Sequence, residues 1–444
     1  MSAVSASGAL TSDRARAASG ALTSDPARGA STSDRARGAS TSDPARGASG
    51  ALTSDPARTP SAGEVARRYA NARAAMAEHG VDALLVSGSE YSGFEGAVRY
   101  LSGFRIVHRY AYVLLPAQGE PTTIFPSEAR WVGDHADGWI GEPVFAEQPG
   151  AFIRDHLRAA KVKRLAVYGL DYVMPVRDYR ALCEGPFELV DFDVAFDLSR
   201  AVKSDEELAL VRESMAINVA GFWAVQQAYE PGRTQAELMA AAEEVFARLG
   251  TGRQTMDMVV WGHAGAATPE FRIPDQQTPI AADDLLLYSL EVAGPGGHWV
   301  EFSRPLTRGA LAADTLRMLE AYQEYHAAAR ASMRAGASAH DVHRAVSAPF
   351  AQRGYPLGHV TGHSIGMTMI EHPKIGEGVE IELREGMIFS MHPHAIAGAG
   401  SACLYMQDTW CIGADAGEPL ASVPLAIFDG HEPPPPLDHI TGGT

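Results

Sequence analysis

Apolar and polar positions along this chain fall into blocks with two periods, and the blocks predict its elements. Residues 64–79 repeat apolar side chains at helical spacing and stop at Gly80, after which residues 81–88 read as a buried strand. Short apolar runs at 111–115, 121–125, 164–168 and 187–192 predict further strands, with a helical segment over 151–160 between them. A mixed sheet with covering helices accounts for all of these. No phosphate-binding glycine pattern follows any of the strands, so this half reads as a scaffold or lid, from which Tyr91, Arg105, His108 and Arg109 could reach a neighbouring site. Further on, Ser204 and Glu207 form a capping box that opens a long amphipathic helix through Tyr229, closed by Pro231-Gly232, and Thr234 caps another ending at Gly250. Helices are also predicted over 312–335 and 339–353. The fold class expected is α/β (α+β) in two parts that divide near residue 200.

The stretch with the clearest chemical content is 285–304, LLLYSLEVAGPGGHWVEFSR. It reads as a hairpin turning at Pro295-Gly296-Gly297, which sets Glu291 opposite Glu301 on one face of two adjacent strands. Directly opposed like charges weaken a strand pair by up to roughly 1 kcal/mol, so a cation or a shared proton between the two carboxylates is the natural inference. The competing reading is a bulge that turns one of them to solvent.

Composition sets the outer limits. A chain of 444 residues, 46% hydrophobic and 20% charged, can bury a large core, and two domains are expected. The net charge of -17 is spread along the chain and argues against nucleic acid or an anionic membrane as partner. Cys183, Cys403 and Cys411 are odd in number and have no ligand-like spacing, which suggests neither a disulfide framework nor a cysteine zinc site and suits a reducing cytoplasm. No apolar run approaches the roughly 20 residues of a membrane span, and the N-terminus lacks a signal peptide's apolar core. Between Thr11 and Arg58 the hexamer Thr-Ser-Asp-Arg/Pro-Ala-Arg recurs five times among Ala/Ser/Gly spacers, a composition that cannot offset its ordering entropy. Residues 1–59 are therefore expected to be a disordered tail or a tandem duplication without a role in the chemistry, or else a docking tail. Residues 431–444 read as a Pro-rich C-terminal tail.

Three later segments are rich in polar groups: GHVTGHSIGMTMIEHP, EGMIFSMHPH and LYMQDTWCIG. Together with the helical entry RAVKSDEELALVRESMAI and the following EPGRTQAEL, they resemble the pita-bread superfamily of aminopeptidase P, prolidase, methionine aminopeptidase and creatinase. The resemblance implies a creatinase/prolidase-like N-terminal domain over 60–199 and a pita-bread catalytic domain over 200–430. It also implies a homodimer. In the metallopeptidase members two metals share two aspartates, one histidine and two glutamates. On that pattern Glu301 takes the second aspartate position and His363 the histidine position, while the first aspartate position falls on Leu290, with Glu291 beside it. His392 and Gln407 replace the two glutamates.

A dimetal site needs bridging carboxylates to hold two cations close against their repulsion. The set implied here is Glu301, His363 and His392, with Glu291 and Gln407 as optional oxygen ligands, and it suits one divalent ion per chain better than two. Such a set fits Zn, Mn or Fe. The family's substrate histidine falls on Glu270 and a second family histidine on Ile370, which speaks against ordinary Xaa-Pro cleavage. A new base could come from Glu270 first, or from Glu291, Glu371, His263 or His372. His298, Trp299 and His394 read as pocket wall or surface. The expected function is a mononuclear metal hydrolase acting on a C–N bond of a small amino-acid-derived substrate. The alternatives are a non-heme Fe(II) oxygenase or lyase on the same fold, and a binding protein whose catalysis has decayed.

Overall fold

A computed structural model describes residues 60–90, 93–106, 108–131, 138–250, 255–263, 271–358, 360–397 and 402–432, with the backbone alone for 255–263 and 271–272. The repeat segment, the last twelve residues, Tyr91 and Glu270 lie outside these residues. The first half runs α1 (Ala62–Glu78), β1 (Ala83–Ser89), α2 (Gly96–Ser102), β2 (Tyr110–Pro116), β3 (Thr122–Pro126), β4 (Val144–Ala146), α3 (Pro149–Ala159), β5 (Arg164–Tyr168), α4 (Val176–Cys183), β6 (Glu188–Asp191) and α5 (Asp193–Ser199). α1 begins where the Ser61 hydroxyl accepts from the Glu64 amide at 3.1 Å, and ends before Gly80, whose φ of +62° suits glycine.

The six strands form a mixed sheet in the order β4-β3-β2-β1-β5-β6, with β1 antiparallel to β2 and parallel to β5. β1 is buried along its whole length, and its alternation divides the core. Leu84 and Val86 pack with Met76, Phe192 and Phe196 on one face, while Ala83 and Leu85 pack with Ile153, Leu157 and Leu182 on the other. The strands expected from sequence are present. Three helices are additions: α2, α4 and α5 have seven, eight and seven residues, too short to stand on propensity and held by packing against the sheet.

The second half contains α6 (Asp205–Ala228), α7 (Gln235–Arg248), β7 (Thr255–His263), β8 (Phe271–Arg272), β9 (Asp284–Ala293), β10 (Trp299–Phe302), α8 (Ala313–Ser332), α9 (Ala339–Gln352), β11 (Gly362–Ser364), β12 (Glu371–Ile375), β13 (Ile388–Met391), β14 (His394–Ile396), β15 (Cys403–Tyr405), β16 (Asp408–Ile412) and β17 (Gly417–Pro419). Both expected capping boxes form, at Ser204/Glu207 and at Thr234/Glu237. One sheet has the order β10-β9-β7-β8 and shares its core with α6 and α7; a second, β12-β11-β13-β16-β17, shares its core with α8 and α9. β14 and β15 form a separate pair. By length and composition α6 is apolar enough to cross a membrane, but Phe222, Val225 and their neighbours on it are buried in the core. The two sheets meet where Ser303 and Gln407 exchange backbone hydrogen bonds, and that junction brings β10 alongside the start of β16.

Candidate metal centre

The hairpin positions the first carboxylate. β9 and β10 pair antiparallel with Glu301 opposite Glu291, the register expected from the Pro-Gly-Gly turn. Gly297 takes φ +84° there, a conformation that favours glycine, and a Cβ on it would also push the Arg99 guanidinium, 2.4 Å away, aside. Asn218 on α6 ties the two strands together, donating from Nδ2 to the carbonyls of Leu290 at 2.8 Å and Val300 at 3.2 Å. The imidazoles arrive from the other sheet: His363 lies mid-strand in β11, and His392 follows the last residue of the adjacent β13. One ligand atom from each of Glu301, His363 and His392 lies within 4.8 Å of the others, and all three side chains are buried.

The hydrogen bonds within this group fix which atoms face inward. His363 Nδ1 bonds the Ser364 carbonyl at 3.0 Å, so Nδ1 carries the proton and the Nε2 lone pair points at Glu301 Oε1, 3.5 Å away. Burial pushes the Glu301 carboxyl up to about 7, against donation from Ser390 and Gln407, and burial pushes the His363 imidazole down to about 4. Two electron-pair donors thus face each other in a water-poor interior, where a proton or a cation between them relieves the repulsion. The residues fit a divalent ion. Two borderline imidazoles and a hard carboxylate are donors that such ions accept, and the carbonyl on His363 Nδ1 is the kind of partner that orients a metal-binding imidazole.

The remaining residues singled out from sequence are distributed around this centre. Glu291 is buried on β9, where its Oε1 lies 2.8 Å from the Ser289 hydroxyl; it is not one of the three clustered ligands. Gln407 turns its amide nitrogen onto Glu301 Oε2, and its Oε1 accepts from Ser289 at 2.5 Å. The side chain therefore acts as a hydrogen-bonding partner of the carboxylate. His372 stands apart, with its ring and amide on Asp197 Oδ2 at 3.1 and 3.0 Å. Glu371 is buried in ion pairs with Arg200 at 2.9 Å and Lys203 at 3.2 Å. The Glu270 expectation lies outside the described residues, as does the side chain of His263. His298, Trp299 and His394 are buried rather than at the surface. His298 is drawn inside by Glu207, 3.4 Å from its Nε2, in a cluster that includes Arg67, Arg68 and Glu64.

Sequence reading missed Ser289 and Ser390, although a signal existed. Each lies two residues before a residue of interest, Glu291 and His392 respectively, and strand alternation puts i and i+2 on one face. The Ser390 hydroxyl donates to Glu301 Oε2. Ion pairs between the two halves were equally invisible, because their members are more than a hundred residues apart.

A mixed α/β half stands ahead of two helix pairs packed on two sheets, and a carboxylate and two imidazoles that could hold a metal ion lie where those sheets join. Residues 209–414 match the profile of Metallopeptidase family M24, and residues 68–202 that of the Creatinase/Prolidase N-terminal domain. The probable dipeptidase PepE of Mycobacterium bovis is 27% identical over 343 residues, covering 74% of this chain and 86% of that protein. The Xaa-Pro dipeptidase of Lactobacillus delbrueckii subsp. lactis is 25% identical, with 78% and 94% covered. Among solved structures, the recombinant prolidase of Thermococcus sibiricus superposes with a TM-score of 0.71 at 19% identity, over 83% of this chain and all of that one. The two matched stretches lie in the two halves of the chain, and together they support a place beside the pita-bread superfamily.

Proposed function

We propose that this chain is a single-metal hydrolase that cleaves a C–N bond in a small amino-acid-derived substrate, with Glu301, His363 and His392 as the protein ligands. The observation that carries the reading is the buried approach of His363 Nε2 to Glu301 Oε1 at 3.5 Å, with the imidazole proton committed to the Ser364 carbonyl. A divalent ion held there supplies Lewis-acid polarisation and makes a water nucleophile available near neutral pH. Glu291 is the base among the described residues: it is a buried carboxylate on the strand beside Glu301, and Ser289 Oγ holds one of its oxygens. It takes a proton from the attacking water and returns it to the departing nitrogen, so that the C–N bond breaks as the new C–O bond forms.

Support for the hydrolytic class comes from the superfamily and from dipeptidase-named relatives of comparable length. The departures at Ile370, Gln407 and His392 favour substrates other than Xaa-Pro dipeptides. The test is elemental analysis of protein purified without added metal, beside His363→Ala and His392→Ala, together with hydrolysis assays on dipeptides, Xaa-Pro dipeptides and N-acyl amino acids. About one metal per chain, lost in both variants, and turnover of a non-Xaa-Pro substrate are expected. Absence of metal after reconstitution, or Xaa-Pro dipeptides as the preferred substrates, would overturn the corresponding part.

A further inference from the structure

The centre contains a hydrogen-bond chain that sets how many cations it accepts. Ser289 Oγ lies 2.5 Å from Gln407 Oε1 and 2.8 Å from Glu291 Oε1, the Gln407 amide nitrogen donates to Glu301 Oε2, and Ser390 Oγ donates to that same oxygen. All five side chains are buried. Glu301 is thereby polarised into two unlike oxygens. Oε2 receives an N–H and an O–H, whereas Oε1 faces His363 Nε2.

The geometry points to Gln407 as a positioning residue that restricts the centre to one divalent cation, an inference that rests on the single-metal reading above. A second cation beside Oε2 would meet the positive ends of the Gln407 and Ser390 dipoles. It would gain only the amide oxygen of Gln407, which Ser289 already engages. The orientation of the amide is what matters. Ser289 acts as an anchor: its single hydroxyl proton lies between two acceptors, and the shorter contact, to Gln407 Oε1, keeps the amide nitrogen on Glu301 while Glu291 Oε1 stands at 2.8 Å. An amide free to turn over would present its oxygen to Glu301 and leave two acceptors in contact.

Replacing the amide by a carboxylate of the same shape removes the N–H and adds a charge beside Glu291 and Glu301. Gln407→Glu should therefore create the second position. The experiment is calorimetric titration of chelator-stripped full-length protein with Zn(II), with bound metal counted after gel filtration and Co(II) absorption read in parallel. Wild type should bind one ion and Gln407→Glu two, with the second lost again when Glu291→Gln is added. Ser289→Ala should keep a count of one but weaken binding about 10- to 100-fold, the usual consequence of removing a partner behind the ligands. That variant decides the matter if Gln407→Glu does not fold. One ion in Gln407→Glu, two in wild type, or unchanged affinity and Co(II) spectrum in Ser289→Ala would each overturn the inference. No binding by wild type would overturn the single-metal reading itself.

Discussion

Replacing Arg200 by methionine tests the charged joint between the two halves. Arg200 is 1% exposed. Its Nη2 lies 2.7 Å from Asp197 Oδ1 and 2.9 Å from both the Tyr168 hydroxyl and Thr368 Oγ1, and its Nη1 lies 2.9 Å from Glu371 Oε1. The guanidinium also sits 5.1 Å from the centre of the Phe196 ring. Lys203 is the other fixed cation in the group, 3.2 Å from Glu371, and the His372 ring, 3.1 Å from Asp197, adds positive charge when it protonates. Methionine fills much of the same volume but leaves one buried negative charge in excess. Breaking a buried pair from one side costs about 3–5 kcal/mol, because the abandoned partner keeps its desolvation penalty. Urea unfolding of the full-length protein should show an unfolding free energy lowered by that amount, read as a lower midpoint at unchanged slope. Asp197 raises the His372 imidazole beside it, so that ring adds a positive charge to the group as the pH falls and the deficit should shrink in acid. Adding Glu371→Gln should recover much of the loss, since Asp197 and Lys203 then remain as one charge of each sign. A loss below about 1 kcal/mol, or a double variant no better than the single one, would refute the account of the joint as a balanced charge cluster.

Other consequences can be checked separately. Burial pushes the Glu95 carboxyl up from 4.5 to about 7, so its ionisation opposes folding; the stability it allows is complete below about 4.5 and is lost as the pH rises through 7. Glu95→Gln should match wild type near pH 4.5 and exceed it by about 3 kcal/mol at pH 8, and equal stability at both pH values would contradict this. A Cβ on Gly96 would lie 1.7 Å from the Met367 carbonyl oxygen, so Gly96→Ala should force α2 away from the segment after His363 and cost about 1–3 kcal/mol or more; a wild-type melting temperature would count against it. Asn218→Leu removes the shared donor between β9 and β10, and should cost about 1–3 kcal/mol in thermal unfolding as well as weakening Zn(II) binding in calorimetry.

Local patterning determined much of this molecule. The capping boxes at Ser204 and Thr234, the strand runs of the first half and the Pro-Gly-Gly turn each depend on residues within a few positions of one another, so their outcome is written in short windows. The pairing of Glu291 with Glu301 follows from the turn alone, and the superfamily was legible from residue order across the polar segments. Short helices such as α2 and α4 were not, since sheet packing rather than propensity fixes them. Nor could the chain by itself decide the role of Gln407. Whether that side chain offers an oxygen or a nitrogen to the centre depends on Glu301, which accepts from it, and on Ser289, 118 residues away in sequence and 2.5 Å away in space. The same holds for His298, drawn into the core by Glu207 on another element, and for Arg200, whose carboxylate partners come from both halves. Sequence specifies which groups are available over a turn or a strand. Tertiary structure decides which lone pairs and protons face one another, because those contacts are set by desolvation and packing between segments with no local relation.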